Sequence, residues 1–114
     1  MRPGDIVILY TGCSEHLGEP WLNSKYTYVD ESGAKWLVEK KVKAVGIDFF
    51  SIDQYGDRSN PAHNLLLGNG IPLIEEISST AKQLVGNRIY FICLPIRIMA
   101  GDGAPARAIA YLLE

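Results

Sequence analysis

Asn60-Pro61-Ala62-His63-Asn64-Leu65-Leu66-Leu67-Gly68-Asn69-Gly70-Ile71-Pro72-Leu73-Ile74-Glu75-Glu76-Ile77 is the most clearly punctuated stretch of this chain. Asn60 reads as a helix N-cap, Pro61 occupies the first helical position, and Gly68 stops the helix. Gly68-Asn69-Gly70 then turns the chain into a strand over 71–77. A helix that feeds a strand through a short turn is the building unit of an α/β sheet.

The flanking sequence repeats that alternation. Residues 5–10, Asp-Ile-Val-Ile-Leu-Tyr, form a continuous β-branched run, expected to be a strand covered on both faces. A long polar and aromatic loop is expected over 12–29. A helix is expected over 31–41, with Asp30 or Ser32 as its cap and a Glu31–Lys35 pair one turn apart. Ala44–Ile47 reads as a short buried strand, extended by Phe49 and Phe50, and 51–60 as a polar loop. Beyond the opening stretch, the pattern predicts a helix over 78–84 closed by Gly86. A long buried strand follows over 89–94, with Pro95 marking a bulge or edge. A tight turn at 101–105 leads into a last strand over 107–113. Strands alternate with helices and give way to a terminal strand pair, so the expected fold is α/β with a mixed sheet.

A chain of 114 residues allows a single domain, 1–114. An apolar fraction of 47% and a charged fraction of 21% are those of a soluble globular protein. Lys and Arg are scattered and the net charge is −2, which argues against nucleic-acid binding. The longest apolar run, 89–99, is too short to span a bilayer and is interrupted by Pro95 and Arg97. No apolar segment follows Met1-Arg2-Pro3-Gly4-Asp5, and only Cys13 and Cys93 are present, so a reducing cytoplasmic setting is expected.

Two residues stand out for chemistry. Alternation over 71–77 puts Ile71, Leu73, Glu75 and Ile77 on one face, where Glu75 is the odd carboxylate. A charge on such a face must be paired or bind metal, unless the strand ends at Ile74 and both glutamates are solvated. His63 lies at the third helical position, where the positive end of the helix dipole disfavours protonation and leaves an imidazole able to ligate metal. The bland alternative is a histidine making one hydrogen bond. His63 and Glu75 are 75 − 63 = 12 residues apart across the glycine turn, which is not a standard zinc spacing. Asp48 and Asp53 flank the end of a buried strand, as acid/base groups or ligands, or as turn and cap residues. Cys13-Ser14-Glu15-His16 brings a thiol near an imidazole, but adjacent residues rarely form a nucleophilic pair. Gly101-Asp102-Gly103 lacks the Lys-Ser/Thr of a phosphate loop.

Taken together, the chain resembles the cyclase-like, metal-dependent amide hydrolases, which include the kynurenine formamidases. The similar segments are Gly4-Asp5-Ile6-Val7-Ile8-Leu9 with Thr11-Gly12, Trp36-Leu37 with Val45-Gly46-Ile47-Asp48, and Ser51 with Asp53. They continue with Pro61-x-His63, Leu65-Leu66, Gly70 to Glu75, Leu94-Pro95-Ile96, and Gly101-Asp102-Gly103-Ala104-Pro105-x-Arg107-Ala108. The resemblance implies the C-terminal part of a swivelling β/β/α fold, a divalent metal (zinc or manganese), and hydrolysis of a small-molecule amide or formamide bond. It aligns His63 and Glu75 with metal ligands, and leaves Asp48, Asp53, Asp102 and Arg107 as supporting or structural candidates.

The family's N-terminal His-x-Gly-Thr-His-x-Asp-x-Pro-x-His segment has no counterpart, and the only other histidine is His16. Cys13 stands where the family has Trp after Thr-Gly. The expectation is therefore a truncated chain with half of a metal site, weakly active or inactive alone unless another chain supplies the missing motif. The alternative is a non-catalytic remnant that binds a partner or small ligand. Loss of an N-terminal segment would uncover apolar sheet surface, so a homo-oligomer is expected in either case.

Overall fold

The computed structural model describes residues 1–113, the side chain of Asn23 excepted. It divides into two compact units, Met1–Lys82 and Gln83–Glu114.

The first unit is built on a parallel three-stranded sheet. Its strands are β1 (Ile6–Leu9), β2 (Ala44–Ile47) and β3 (Leu73–Ile74), in the order β1-β2-β3. Helix α1 (Glu31–Glu39) connects the first pair and α2 (Pro61–Gly68) the second, as parallel neighbours require. β2 is buried along its whole length, which explains its unbroken apolar sequence. β1 has a similar run but is half-buried throughout, because among the described residues only β2 flanks it. Ala34 and Leu37 of α1, Ala62 and Leu66 of α2, and Val45 and Ile47 of β2 share one core with Ile52 and Ile71. A Cβ at Gly46 would meet the Ile77 Cδ1 at 2.5 Å and the Ile8 Cδ1 at 2.7 Å, so the tips of both isoleucines would have to move.

α1 starts where Asp30 accepts a hydrogen bond from the Gly33 N–H at 2.8 Å. The Glu31–Lys35 pair forms at 2.6 Å on its exposed side. The paired part of β2 ends at Ile47, and Phe49 and Phe50 continue outside any strand. The backbone still follows the 71–77 segment, through Ile77 N–H to Ile47 O at 3.1 Å and Glu76 N–H to Phe49 O at 2.8 Å. Only Leu73 and Ile74 of that segment pair as a strand. Residues 79–84 wind as a 3-10 helix.

The long loop contains two 3-10 turns, Cys13–His16 and Pro20–Asn23. It packs Cys13 and Leu22 on Phe49, with Tyr26 against them. Asp48, 1% exposed, anchors the loop. One carboxylate oxygen accepts from Thr11 N–H at 2.7 Å and Thr11 Oγ1 at 2.6 Å. The other accepts from Gly12 N–H at 3.0 Å, Ser14 Oγ at 2.9 Å and Ser14 N–H at 3.4 Å. Burial opposes the charge, but the donors from Thr11 and Ser14 outweigh it and hold the carboxyl below its ordinary value.

The second unit is an antiparallel pair, β4 (Ile89–Pro95) and β5 (Ala106–Leu112), in register from Ile89↔Leu112 to Pro95↔Ala106. Tyr90 and Tyr111 stack across it at 5.2 Å. The apolar run of β4 suggests a buried strand, but its residues are half-buried or exposed. A two-stranded ribbon has two faces to cover and no third strand alongside. No helix among the described residues is long and apolar enough to cross a membrane.

Replacing Asp48 with Asn turns an acceptor of five hydrogen bonds into a weaker one, and urea denaturation should show a loss of about 2–3 kcal/mol. The native carboxyl lies below its unfolded value, so its contribution is complete above the unfolded carboxylate range and is lost as pH falls through the native value. The wild type should lose stability there more steeply than Asp48→Asn.

Candidate metal centre

Asn60, expected to cap α2, makes no side-chain cap and sits in a left-handed conformation with φ 45°. Asp53 caps the helix from the preceding loop instead. Its Oδ1 accepts from Ala62 N–H at 2.7 Å, and its Oδ2 accepts from His63 N–H at 3.1 Å. The same Oδ2 meets His63 Nδ1 at 2.5 Å. Asp53 is 1% exposed, and Tyr26 grips its backbone by donating its hydroxyl to the carbonyl at 2.7 Å.

This bond decides how the imidazole is used. A carboxylate can only accept here, so the hydrogen-bond network assigns the ring proton to Nδ1. Nε2 is the outer nitrogen of the ring, and it faces Glu75 Oε1 at 3.4 Å. Glu75 Oε1 also accepts from Ile52 N–H at 2.9 Å. Both side chains are partly open to solvent, at 30% for His63 and 27% for Glu75. At 3.4 Å the two atoms stand farther apart than in an ordinary hydrogen bond, a spacing that two ligands of one cation also take.

The structure thus brings together Asp53, His63 and Glu75. Asp48 faces the long loop, where Thr11, Gly12 and Ser14 hold it. Asp102 and Arg107 belong to the second unit, where both are exposed and Arg107 pairs across the ribbon with Leu94. His16 pairs with Glu19 at 2.9 Å, and Cys13 is buried in the loop cluster.

Residues 1–54 match the model of the family described as "Putative cyclase". Over 111 residues the chain is 33% identical to protein MJ0783 of Methanocaldococcus jannaschii, covering 95% of this chain and 54% of that protein. It is 32% identical over 76 residues to a kynurenine formamidase of Bacillus mycoides, covering 67% of this chain and 35% of the relative. A solved structure described as a potential metal-dependent hydrolase with cyclase activity superposes with a TM-score of 0.85 at 26% identity. That match covers 100% of this chain and 54% of the other. The chain is similar to the cyclase-like family, by sequence over residues 1–54 and by fold over its described length. It spans about half the length of the first of these relatives and about a third of the formamidase. Its parallel sheet and antiparallel pair match the mixed α/β fold of the cyclase-like structures.

The donors can be tested against the metal that cyclase-like neighbours are described as needing. Two ligands each about 2.1 Å from a tetrahedral ion lie about 3.4 Å apart. His63 Nε2 and Glu75 Oε1 have that separation, and the second ring nitrogen is held by a carboxylate, as in metal-ligating histidines. The pair therefore fits one edge of a cation site. Among the described residues, no group of three or more His, Cys, Asp or Glu side chains is placed to hold a metal. In sequence Asp53 is open as a ligand, an acid/base group or a turn and cap residue, and the cap of α2 is expected at Asn60; the cap comes instead from Asp53, seven residues earlier (60 − 53 = 7).

Asp53→Ala should cost about 2 kcal/mol or more in chemical denaturation, because two amides at the start of α2 lose their acceptor. His63→Ala keeps that cap and should cost clearly less.

Proposed function

We propose that this chain supplies two protein ligands, His63 and Glu75, to a divalent zinc or manganese centre in a cyclase-like amide hydrolase, and that donors from another polypeptide complete it. The supporting observation is the 3.4 Å approach of the two acceptor atoms, with Asp53 holding the imidazole. In this reading His63 and Glu75 hold the ion, Ile52 N–H orients the carboxylate, and Asp53 sets the tautomer. A divalent ion there would supply Lewis-acid polarisation of an amide carbonyl and acidify water for its attack. Catalytic zinc sites use three protein ligands, so two from one chain bind weakly and the isolated chain has little or no activity. The competing reading is a non-catalytic module, in which Asp53, His63 and Glu75 only stitch the loop to the helix.

In this reading the remaining donors come from outside these residues, by association with a second copy or with a separate chain that carries them. Self-association is the version we propose. Exposed apolar side chains on the β4–β5 ribbon support it, among them Tyr90, Leu94, Ile109, Tyr111 and Leu112, each more than half exposed.

After incubation with zinc or manganese and dialysis, elemental analysis should find metal on the wild type and little on His63→Ala or Glu75→Gln. Asp53→Asn should weaken binding about 10-fold or more. Equal metal content in all four proteins, or none in the wild type, would sink the metal reading. Formanilide hydrolysis should stay near background for the chain alone. Light scattering should give a mass above the 12.6 kDa of one chain, and a monodisperse monomer would remove self-association.

A further inference from the structure

A second concave site lies in the first unit. It is a cavity of about 280 Å³ with Asp48, Phe49, Phe50, Glu76 and Ile77 among its lining residues, together with Leu17. None of Asp53, His63 and Glu75 lines it. The split arises at Glu76, whose φ of 56° places a non-glycine residue in the left-handed region and breaks the alternation of the extended segment. Glu75 is left facing Ile52 and His63, while Glu76 joins the wall of the cavity.

The lining has one charge sign. Asp48 is a buried carboxylate whose hydrogen bonds all come from uncharged groups, so they stabilise its negative charge without cancelling it. Glu76 adds an exposed carboxylate that has no hydrogen bond or ion pair to its side chain among the described residues. No cation lines the cavity, and the nearby Lys82 is engaged by Glu15 at 2.7 Å. The rest of the wall combines three serines (Ser14, Ser78 and Ser79) with Leu17, Ile77 and an aromatic pair, Phe49 and Phe50 in ring contact at 4.5 Å with Phe50 half exposed. An aromatic face beside a carboxylate attracts a cation that has an apolar body, through ring quadrupole, charge and burial together. An anion meets two carboxylates there. The volume lies near the lower end of small-molecule sites, enough for one ring with a short substituent.

We propose that this cavity binds a small primary ammonium compound carrying an apolar or aromatic group, with its nitrogen at Glu76 and its body against Phe50. The site is separate from the metal pair and does not depend on it.

The probes are benzylammonium, benzyl alcohol and benzoate, titrated into the full chain at neutral pH and followed by NMR. Benzylammonium should bind in the millimolar range or tighter, shift Phe50 and Ile77, and exceed benzyl alcohol at least fivefold, with benzoate weakest. Glu76→Gln should abolish that preference while leaving benzyl alcohol unchanged. Glu76→Gly, which accepts the positive φ without strain, should do the same and guards against a folding defect. Phe50→Ala should weaken both benzyl compounds. His63→Ala should change none of these values, even if it removes a metal. Equal binding of the ammonium and the alcohol, a retained preference in either Glu76 variant, or no shift at Phe50 up to saturating probe would overturn the proposal.

Discussion

The carboxylate of Asp53 is the constraint on which the candidate centre rests. Charge at 1% exposure is costly unless donors surround it, and here the donors are two amides at the start of α2 and the ring of His63. Asn60 cannot serve, since its left-handed backbone leaves its side chain off the helix end. One acid therefore solves two problems together. It satisfies a helix terminus and fixes which nitrogen of the imidazole is free. The loop that delivers it is itself held, by Tyr26 on the Asp53 carbonyl and by Val29 N–H on Ile52 O at 2.8 Å. If that loop loosened, α2 would fray first, and the approach of His63 to Glu75 would be lost with it.

Asp48 applies the same physics on the other side of the loop. Both acids follow β2, the fully buried strand, and each is claimed by a different neighbour: Asp48 by the segment after β1, Asp53 by the start of α2. Glu75 follows β3 in the same way and turns to Ile52. All three carboxylates stand just beyond the C-terminal ends of parallel strands, the side on which open α/β sheets assemble ligand sites. The apolar strands make the sheet, and the acids beyond them stitch its loops into a fixed arrangement.

Much of this was legible in the chain itself. Proline and glycine bracket α2, β-branched runs mark β1 and β2, and one carboxylate interrupts an apolar face; the spacing of His63 and Glu75 is by itself a weak signal, and the family resemblance is what puts the two together. The failures share a cause, which is that they depend on contacts distant in sequence. The cap of α2 comes from a loop, whereas local propensity points to Asn60. The paired strand stops at Ile74, because Glu76 bends the backbone while the hydrogen-bonding of its neighbours continues. β4 reads as buried because an apolar run carries no information about what covers it. Residues 79–84 are too few for the helical pattern to separate a 3-10 turn from an α-helix.

Glu76 shows why the departures gather where they do. A left-handed conformation costs a non-glycine residue on the order of 1 kcal/mol or more, and it persists only where the surroundings over-determine it. Here the Glu76 amide is tied to Phe49 O and the Ile77 amide to Ile47 O, so the two residues after Glu75 are pinned to the end of β2. Regular alternation would have kept Glu75 and Ile77 on one face. Ile77 instead packs its tip against Gly46, in space a Cβ would contest, while Glu75 reaches Ile52 and His63. The missing side chain at Gly46 and the bent backbone at Glu76 are two halves of one arrangement. Together they let a two-residue strand end in a carboxylate aimed at an imidazole.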